Sequence, residues 1–399
     1  MIIQKERGVQ MKGAFFRIGK SSMPLIIIKC IKEAKLEEEK MKRRNIRKLQ
    51  SSLILVSIII LTPIIYQAIE SFGHNAERVK EKIEAYLYNE YGEEFVADRV
   101  GTRNYPDGKT RFIARIYPES IIGTNKEGDP YYTATAGVEK KIFGRLGAVG
   151  AGYENVLIKL EAEEYINKKA KELFGERVLI KTDVKYKLRK KGNSYFSWQI
   201  VSGFEELLER VNNDPNNHRI EMDLYIYIFD RIETEEEKEE RRRQIFDFIQ
   251  YLKEEGLFEH LEMGVIFIDE RVLAPGYIDY YYKINRSEKV KEEIAGETVY
   301  LPPLELRKEM SEVLQKEVDR MSEEEMVENM GKIRKNELTP EHIANYNRQY
   351  LVWICSLNML KETRSSRYER ERKEDNLDFY QYEDSNNIIF AKDHKYIFE

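Results

Sequence analysis

The residue types that most often carry catalysis or bind metals are scattered along this chain. No two of its five histidines stand at a spacing typical of metal ligands, and neither an HExxH motif nor a pair of neighbouring cysteines is present. A nucleophile elbow of the form GxSxG is also absent. We therefore assign no catalytic, cofactor-binding or metal-ligating residue and expect no cofactor. We interpret the histidines as surface or capping residues: His74, His218, His260, His342 and His394.

Carboxylates offer another route to hydrolysis, because two of them can act as general acid and general base. Asp98, Glu119 and Asp129 are candidates for such a set in the first part of the chain. Their spacing does not bring them together, so a hydrolase with dispersed carboxylates is the alternative to a binding protein. A deep pocket with converging carboxylates would favour the enzyme, whereas a shallow Tyr-lined groove or a sheet edge would favour binding.

Two glycine-containing segments resemble phosphate-binding loops but lack the required spacing. Asp107-Gly-Lys-Thr110 would need a glycine where Arg103 stands, so we interpret it as a hairpin turn. In the stretch from Phe143 to Gly152 the glycines do not follow GxGxxG, and no strong strand leads into a phosphate-facing helix. We interpret this stretch as a flexible connector, with a ligand-contacting loop as the alternative.

Tyrosine is abundant, with 26 residues, and it clusters at Tyr131-Tyr132 and at Tyr280 to Tyr282. On a strand, neighbouring side chains point to opposite faces, so part of each cluster would be exposed. Exposed aromatic rings favour recognition of peptides, glycans or protein partners, and a half-buried strand is the alternative. Cys355 lies in an apolar run, which predicts a buried packing residue rather than a reactive or intermolecular thiol.

The charge of the chain is unevenly distributed. Residues 1–48 carry 14 Lys or Arg against 5 Asp or Glu, a net charge of +9, so a total of −5 leaves −14 for the remainder. An acidic main part argues against wide neutralisation of phosphates, and we therefore expect no nucleic-acid partner. The composition, 42% hydrophobic and 34% charged, is that of a folded protein long enough for more than one core.

Residues 49–69 contain no charged side chain, and as a helix they would reach about 31 Å, close to the hydrocarbon thickness of a bilayer. This segment predicts a single transmembrane helix, a signal-anchor. The basic flank between Lys40 and Lys48 predicts a cytoplasmic amino terminus and an extracytoplasmic main part. A cleaved signal peptide and an inverted topology are the alternatives. We also hypothesise that translation begins at Met41, so that residues 1–40 are not native.

Helix and strand patterns alternate after this segment. Val79, Ile83 and Leu87 recur at helical spacing and predict a helix over residues 77–91, which Gly92 can end. From Val178 to Leu188 apolar residues alternate with Lys and Asp, the pattern of a strand with one wet face. Further predicted strands are Phe95–Val100, Arg111–Tyr117, Tyr131–Val138, Tyr195–Ile200, Ile220–Ile228, Met263–Ile268 and Tyr277–Ile284. Helices are predicted after Thr234, over Leu304–Met321, after Ser322 and from Pro340 to about Lys361. The last predicted element is a hairpin of Phe379–Tyr382 and Ile388–Ala391.

The recurring order of helix, strand and strand predicts an α+β fold, with antiparallel sheets carrying helices on one face and a helical C-terminal region. This order is loosely similar to that of PepSY-like domains, without a shared residue motif. The predicted divisions are a basic tail (1–48), the transmembrane helix (49–69), a first module (70–150), a second module (151–200), a third segment (201–300) and a mainly helical region (301–399).

These features predict a single-pass membrane protein of the bacterial envelope with an extracytoplasmic binding or scaffolding domain. The predicted partners are the membrane and a protein, peptide or glycan at the cell envelope. The alternative is a membrane-anchored envelope hydrolase that uses dispersed carboxylates.

Overall fold

The computed structural model describes residues 35–37, 57, 61–62, 76–141, 145–189, 195–197, 203–294, 296–333 and 338–398. Residues Glu77–Glu399 belong to one unit, which is described below by itself. In the other unit, Met1–Ala76, the described residues are all helical. The predictions made for the other residues of that unit, which include the role of His74 and the translation start at Met41, concern residues outside the described ones.

The first sheet has four antiparallel strands in the order β1-β2-β3-β4. Helix α1 covers one face with Val79, Ile83 and Leu87, all fully buried, and Gly92 follows it with a φ of +75°. The predicted helix and the hairpin after it are confirmed. The elements are α1 (residues 76–91), β1 (Phe95–Asn104), β2 (Thr110–Pro118), β3 (Ala134–Lys140) and β4 (Leu146–Ala151).

The second sheet has six strands in the order β12-β11-β8-β7-β5-β6. Its neighbours are antiparallel except β7 and β8, which are parallel and joined by a crossover through α4. The strands are β5 (Val178–Arg189), β6 (Tyr195–Ser197), β7 (His218–Phe229), β8 (Leu261–Ile268), β11 (Arg348–Cys355) and β12 (Phe390–Lys392); β9 (Val290–Ile294) and β10 (Glu297–Leu301) form a separate hairpin.

Helices pack on both faces of the six-stranded sheet. Helices α2, α3 and α4 fill one core, and α5 to α8 form a second core that covers part of the opposite face. The helices are α2 (Glu154–Phe174), α3 (Phe204–Asn213), α4 (Glu235–Glu254), α5 (Tyr277–Arg286), α6 (Leu304–Val318), α7 (Glu323–Lys332), α8 (Pro340–Asn347), α9 (Leu357–Thr363) and α10 (Ser365–Lys373). The capping boxes predicted at Thr234 and Ser322 are present.

Several predicted elements are wrong. Residues Tyr277–Ile284 form a helix, because Tyr277, Tyr280, Tyr281 and Ile284 share one face at helical spacing and pack on the second core. The helix predicted from Pro340 to Lys361 is interrupted by β11, whose apolar residues fill the sheet. The C-terminal region therefore adds β11 and β12 to the sheet, while most of its ordered elements are the helices α6 to α10.

Two other local predictions also need correction. The stretch read as a flexible connector contains β4, because its small residues allow close pairing with β3. The final hairpin does not form; instead β12 pairs with β11, and residues Leu377–Gln381 form a 3₁₀ turn.

The predicted transmembrane helix over residues 49–69 is wrong, and with it the predicted fold class. Most of that range lies outside the described residues, and among the helices that are described none has both the length and the apolar composition needed to cross a bilayer. The two longest described helices, α2 and α4, each bury one stripe of apolar residues and expose charged residues on their other faces. The fold is mixed α/β. The predictions of a signal-anchor, a single-pass topology, a cytoplasmic amino terminus and an extracytoplasmic location are therefore wrong as well.

Helix α4 provides a direct test of how the first core holds the sheet. Phe248 is fully buried between α4 and the strands, whereas Asp247, one position earlier, is exposed. We expect Phe248→Ala to lower the free energy of unfolding by about 3–5 kcal/mol, because it leaves a cavity. Urea unfolding followed by circular dichroism measures this, with Asp247→Ala as the matched control. Equal stabilities for the two variants would contradict the packing described.

Candidate functional site

The edge of β5 that faces away from β7 is only partly covered. Phe229 donates its N–H to Arg177 O at 3.0 Å, which fixes the alternation of the β5–β7 ladder. The backbone groups of Ile180 and Thr182 therefore point away from β7. In the described part of the chain, β6 pairs with residues 187–189 of β5. The rest of this edge must find other partners or stay free.

Two side chains close the edge at Thr182. Its N–H donates to Glu163 Oε1 at 3.1 Å, and its carbonyl oxygen accepts a hydrogen bond from the Tyr131 hydroxyl. Glu163 and Tyr131 thus replace the neighbouring strand that Thr182 lacks. No hydrogen bond within the described part of the chain reaches the outward backbone groups of Val178 and Ile180.

Glu163 is a buried carboxylate, with 3% of its surface exposed. Besides the Thr182 N–H, its Oε1 accepts a hydrogen bond from the Tyr132 hydroxyl at 2.7 Å. Its Oε2 lies 2.7 Å from Lys126 Nζ, an ion pair without good hydrogen-bond alignment. One oxygen is therefore held by two fixed donors, and the other faces a single lysine.

A cleft of about 590 Å³ opens beside this carboxylate, within the range of ligand sites in proteins. Its walls are the loop at residues 120–126, one side of α2, and α7, and its floor is the beginning of β5; we call it the edge cleft. Leu160, Ile180 and Met330 make much of the lining apolar, and Glu163 and Lys126 lie at its polar end. The cleft can therefore hold a ligand that combines an apolar body with a polar terminus.

Tyr131 is held in place by two cations. The ammonium groups of Lys159 and Lys181 lie 3.8 Å and 4.3 Å from the centre of its ring. Lys181 also bonds Glu341 at 2.7 Å and lies 3.5 Å from Asp129. Burial, with smaller contributions from nearby carboxylates, raises the pKa of Tyr131. The hydroxyl therefore stays protonated and keeps donating to Thr182.

The part of the sheet face that α5 to α8 leave uncovered is polar. Asp183, Asp223 and Glu262 are register neighbours across β5, β7 and β8. Burial raises the pKa of Asp223, whereas Lys185 and Lys159 outweigh burial and lower that of Asp183. Glu262 accepts from Trp353 at 3.0 Å and from Arg364 at 2.5 Å. These ion pairs and hydrogen bonds therefore satisfy the carboxylates on this part of the sheet face.

The three carboxylates proposed for a hydrolase have separate partners. Asp98 pairs with Arg115, and Glu119 is exposed in the 3₁₀ turn after β2. Asp129 is buried, caps the turn Pro130–Tyr132 and lies near Lys181. No described hydrogen bond or ion pair joins any two of them.

The tyrosine clusters do not lie on strands. Tyr131 and Tyr132 form a 3₁₀ turn, and both hydroxyls hold the closed edge at Thr182 and Glu163. Tyr280 to Tyr282 lie on α5, where Tyr280 reaches Glu309 at 3.2 Å. The first cluster therefore borders the cleft, and the second contributes to the second core.

The other residues considered for chemistry, a cysteine and the histidines, contribute to the packing or capping of the fold. Cys355 is buried, as predicted, and burial raises the pKa of its thiol to about 12. His260 is buried, so its prediction as a surface or capping residue is wrong. Burial, with a smaller contribution from Arg219, lowers its pKa to about 4. His342 lies in the first turn of α8 and bonds its cap Thr339. The described residues contain no cluster of His, Cys, Asp or Glu able to hold a metal ion.

Sequence reasoning missed Glu163 and Lys126. A signal for Glu163 was available, because it stands three residues before Ile166 on the stripe that continues through Ala170 and Phe174. A charged residue on a buried stripe requires a partner, which makes it a candidate for function. Lys126 carries no comparable signal, since it lies in a polar loop.

Comparisons of the chain with protein-family models, with curated proteins and with solved structures find no match. The fold and the site alone define the class: a mixed α/β protein with a cleft at a partly free strand edge.

The ion pair between Lys181 and Glu341 predicts a pH dependence of stability. Burial acts to raise the pKa of Glu341, but hydrogen bonds from Lys181 and Thr339 outweigh it and lower the pKa from 4.5 to about 2. A lowered pKa stabilises the fold above the unfolded value, and this contribution is lost as the pH falls from 4.5 towards 2. In this pH range, the urea concentration at half-unfolding should depend less on pH in Glu341→Gln than in the wild type. Glu328→Gln, at an exposed carboxylate of α7, is the control and should keep the wild-type slope.

Proposed function

We propose that this protein is a peptide-binding module that adds an extended peptide to the free edge of β5 inside the edge cleft. The observation that carries the proposal is the pair of outward backbone positions, Val178 and Ile180, at the floor of a cleft whose walls combine apolar and polar side chains. A peptide that pairs with a strand edge gains main-chain hydrogen bonds, while pockets for its side chains set the specificity.

The lining of the edge cleft favours a peptide over the other predicted partners. Backbone donors and acceptors at Ile180 match another backbone, and Leu160 and Met330 provide apolar contacts for alternate side chains. A glycan would need several side-chain hydrogen-bonding groups at the floor, where Val178, Leu179 and Ile180 lie instead. Of a protein, a peptide and a glycan, we therefore propose the peptide, either free or as an extended segment of a protein.

The hydrolase alternative has less support. It requires an acid and a base close to one another in a pocket. Asp98 pairs with Arg115, Asp129 lies near Lys181, and Glu119 is exposed. The carboxylate at the edge cleft, Glu163, is engaged by Tyr132, Thr182 and Lys126. The cleft lies at a sheet edge, which is the feature that the sequence analysis associates with a binding protein.

Blocking the cleft tests the proposal. Gly331 lines the cleft, and a Cβ built there meets no atom within 4 Å, so a larger residue occupies open space without strain. The probe is a random library of hexapeptides with a free amino terminus and a carboxy-terminal fluorescent label, and the readout is fluorescence anisotropy. We expect Gly331→Phe to weaken binding of the selected peptides by at least roughly tenfold, about 1.4 kcal/mol.

Gly331→Ala is the matched control and should bind as the wild type does. A second pair of variants tests the backbone contact. Ile180→Pro removes an N–H that points away from β7 at the floor of the cleft. Val184→Pro is its control, because it removes an N–H that also points away from β7 but lies beyond Thr182. If Gly331→Phe and Ile180→Pro bind the selected peptides as tightly as their controls, the peptides do not use this edge and the proposal is wrong.

A further inference from the structure

We infer, building on the proposed peptide-binding function, that the edge cleft selects a free peptide amino terminus, whose ammonium group binds the Glu163 carboxylate in place of Lys126. Glu163 and Tyr131 have no role in a simple strand addition, because they prevent pairing at Thr182. Their position defines where an added peptide must end.

The direction of the peptide follows from the ladder. A peptide antiparallel to β5 that pairs with Ile180 runs with its amino end towards Thr182. Pairing cannot continue there, since the Thr182 N–H and carbonyl already bond Glu163 and Tyr131. The residue before the paired one is therefore the first residue of the peptide. Its ammonium group comes next to the carboxylate that caps Thr182.

The charge of Glu163 supports an ammonium ligand. A buried carboxylate needs a compensating cation, and removing its partner is strongly destabilising. Tyr132 and Thr182 hold Oε1, so Glu163 keeps its position when the group facing Oε2 is exchanged. A peptide ammonium can make that exchange without leaving the buried charge unpaired.

Lys126 is the cation that can be exchanged. Its side chain is 25% exposed, compared with 3% for Glu163. It lies in a loop between Gly123 and Gly128, both with positive φ, and it makes an ion pair with Oε2 without good hydrogen-bond alignment. In the absence of peptide, Lys126 thus takes the place of the ligand ammonium. It competes with the peptide for Glu163.

Amino-terminal acetylation tests this inference. The peptides selected with the wild-type chain are resynthesised in two forms, one with a free amino terminus and one acetylated, each with the same carboxy-terminal label. We expect acetylation to weaken binding by roughly tenfold or more, because it removes the ammonium charge. Glu163→Gln should weaken the free form and leave the acetylated form unchanged, which a general loss of folding cannot produce.

Lys126→Met gives a readout of opposite sign. We expect it to lower the stability of the peptide-free chain, which urea unfolding measures, and to tighten binding of the free form, since the competing cation is gone. Lys171→Met is the matched control, because Lys171 also lines the cleft but pairs with Glu176 at 2.6 Å. Equal binding of both peptide forms to the wild-type chain overturns the inference and leaves strand addition standing. If the wild-type chain selects no peptide from the library, both the inference and the proposed function are overturned.

Discussion

The closure of β5 at Thr182 is the interaction on which the rest of this structure depends. Glu163 lies on α2, and α2 belongs to two cores: Val156 packs with the four-stranded sheet, and Ile158 and later residues pack with the six-stranded one. A buried carboxylate is tolerated only when donors and a cation surround it. Tyr132 and Lys126 come from the chain after β2, and Thr182 comes from β5. One charged group therefore fixes where the two sheets meet.

The treatment of the other sheet edges supports a special role for this one. Exposed edges attract other chains, and proteins protect them with short strands, bulges or charges. Strand β12 has three residues, and β1 has an irregular register near Arg99, whose φ is +49°. Strand β5 has 12 residues and is closed at Thr182 by side chains, but its edge at Ile180 is open and lies in a cleft. An unprotected position enclosed on both sides is suited to one defined partner.

Local patterns predicted much of the fold, where a single periodicity dominated the sequence. The helix before Gly92 and the alternating strand after Val178 were confirmed, because each buries only one stripe. The helix over Tyr277–Arg286 was missed because its tyrosines carry both strand propensity and helical spacing, and packing decided between them. Strand β11 was missed because it follows a helix without a glycine or proline at the boundary. The neighbours of strands that are distant in the sequence were not readable, since pairing of β7 with β8 depends on the crossover through α4.

The candidate site could not be predicted because it is made of contacts between distant segments. Its width depends on the position of α7, and that helix is held by Arg177, which bonds Glu323 at 3.0 Å, and by Asn329, which donates to Leu273 O at 2.9 Å. Met330 anchors the same helix in the second core. Arg177 immediately precedes β5, so one segment supplies both the floor of the cleft and the anchor of its wall. The floor of the cleft and the wall formed by α7 are therefore coupled through Arg177, although the two lie far apart in the sequence.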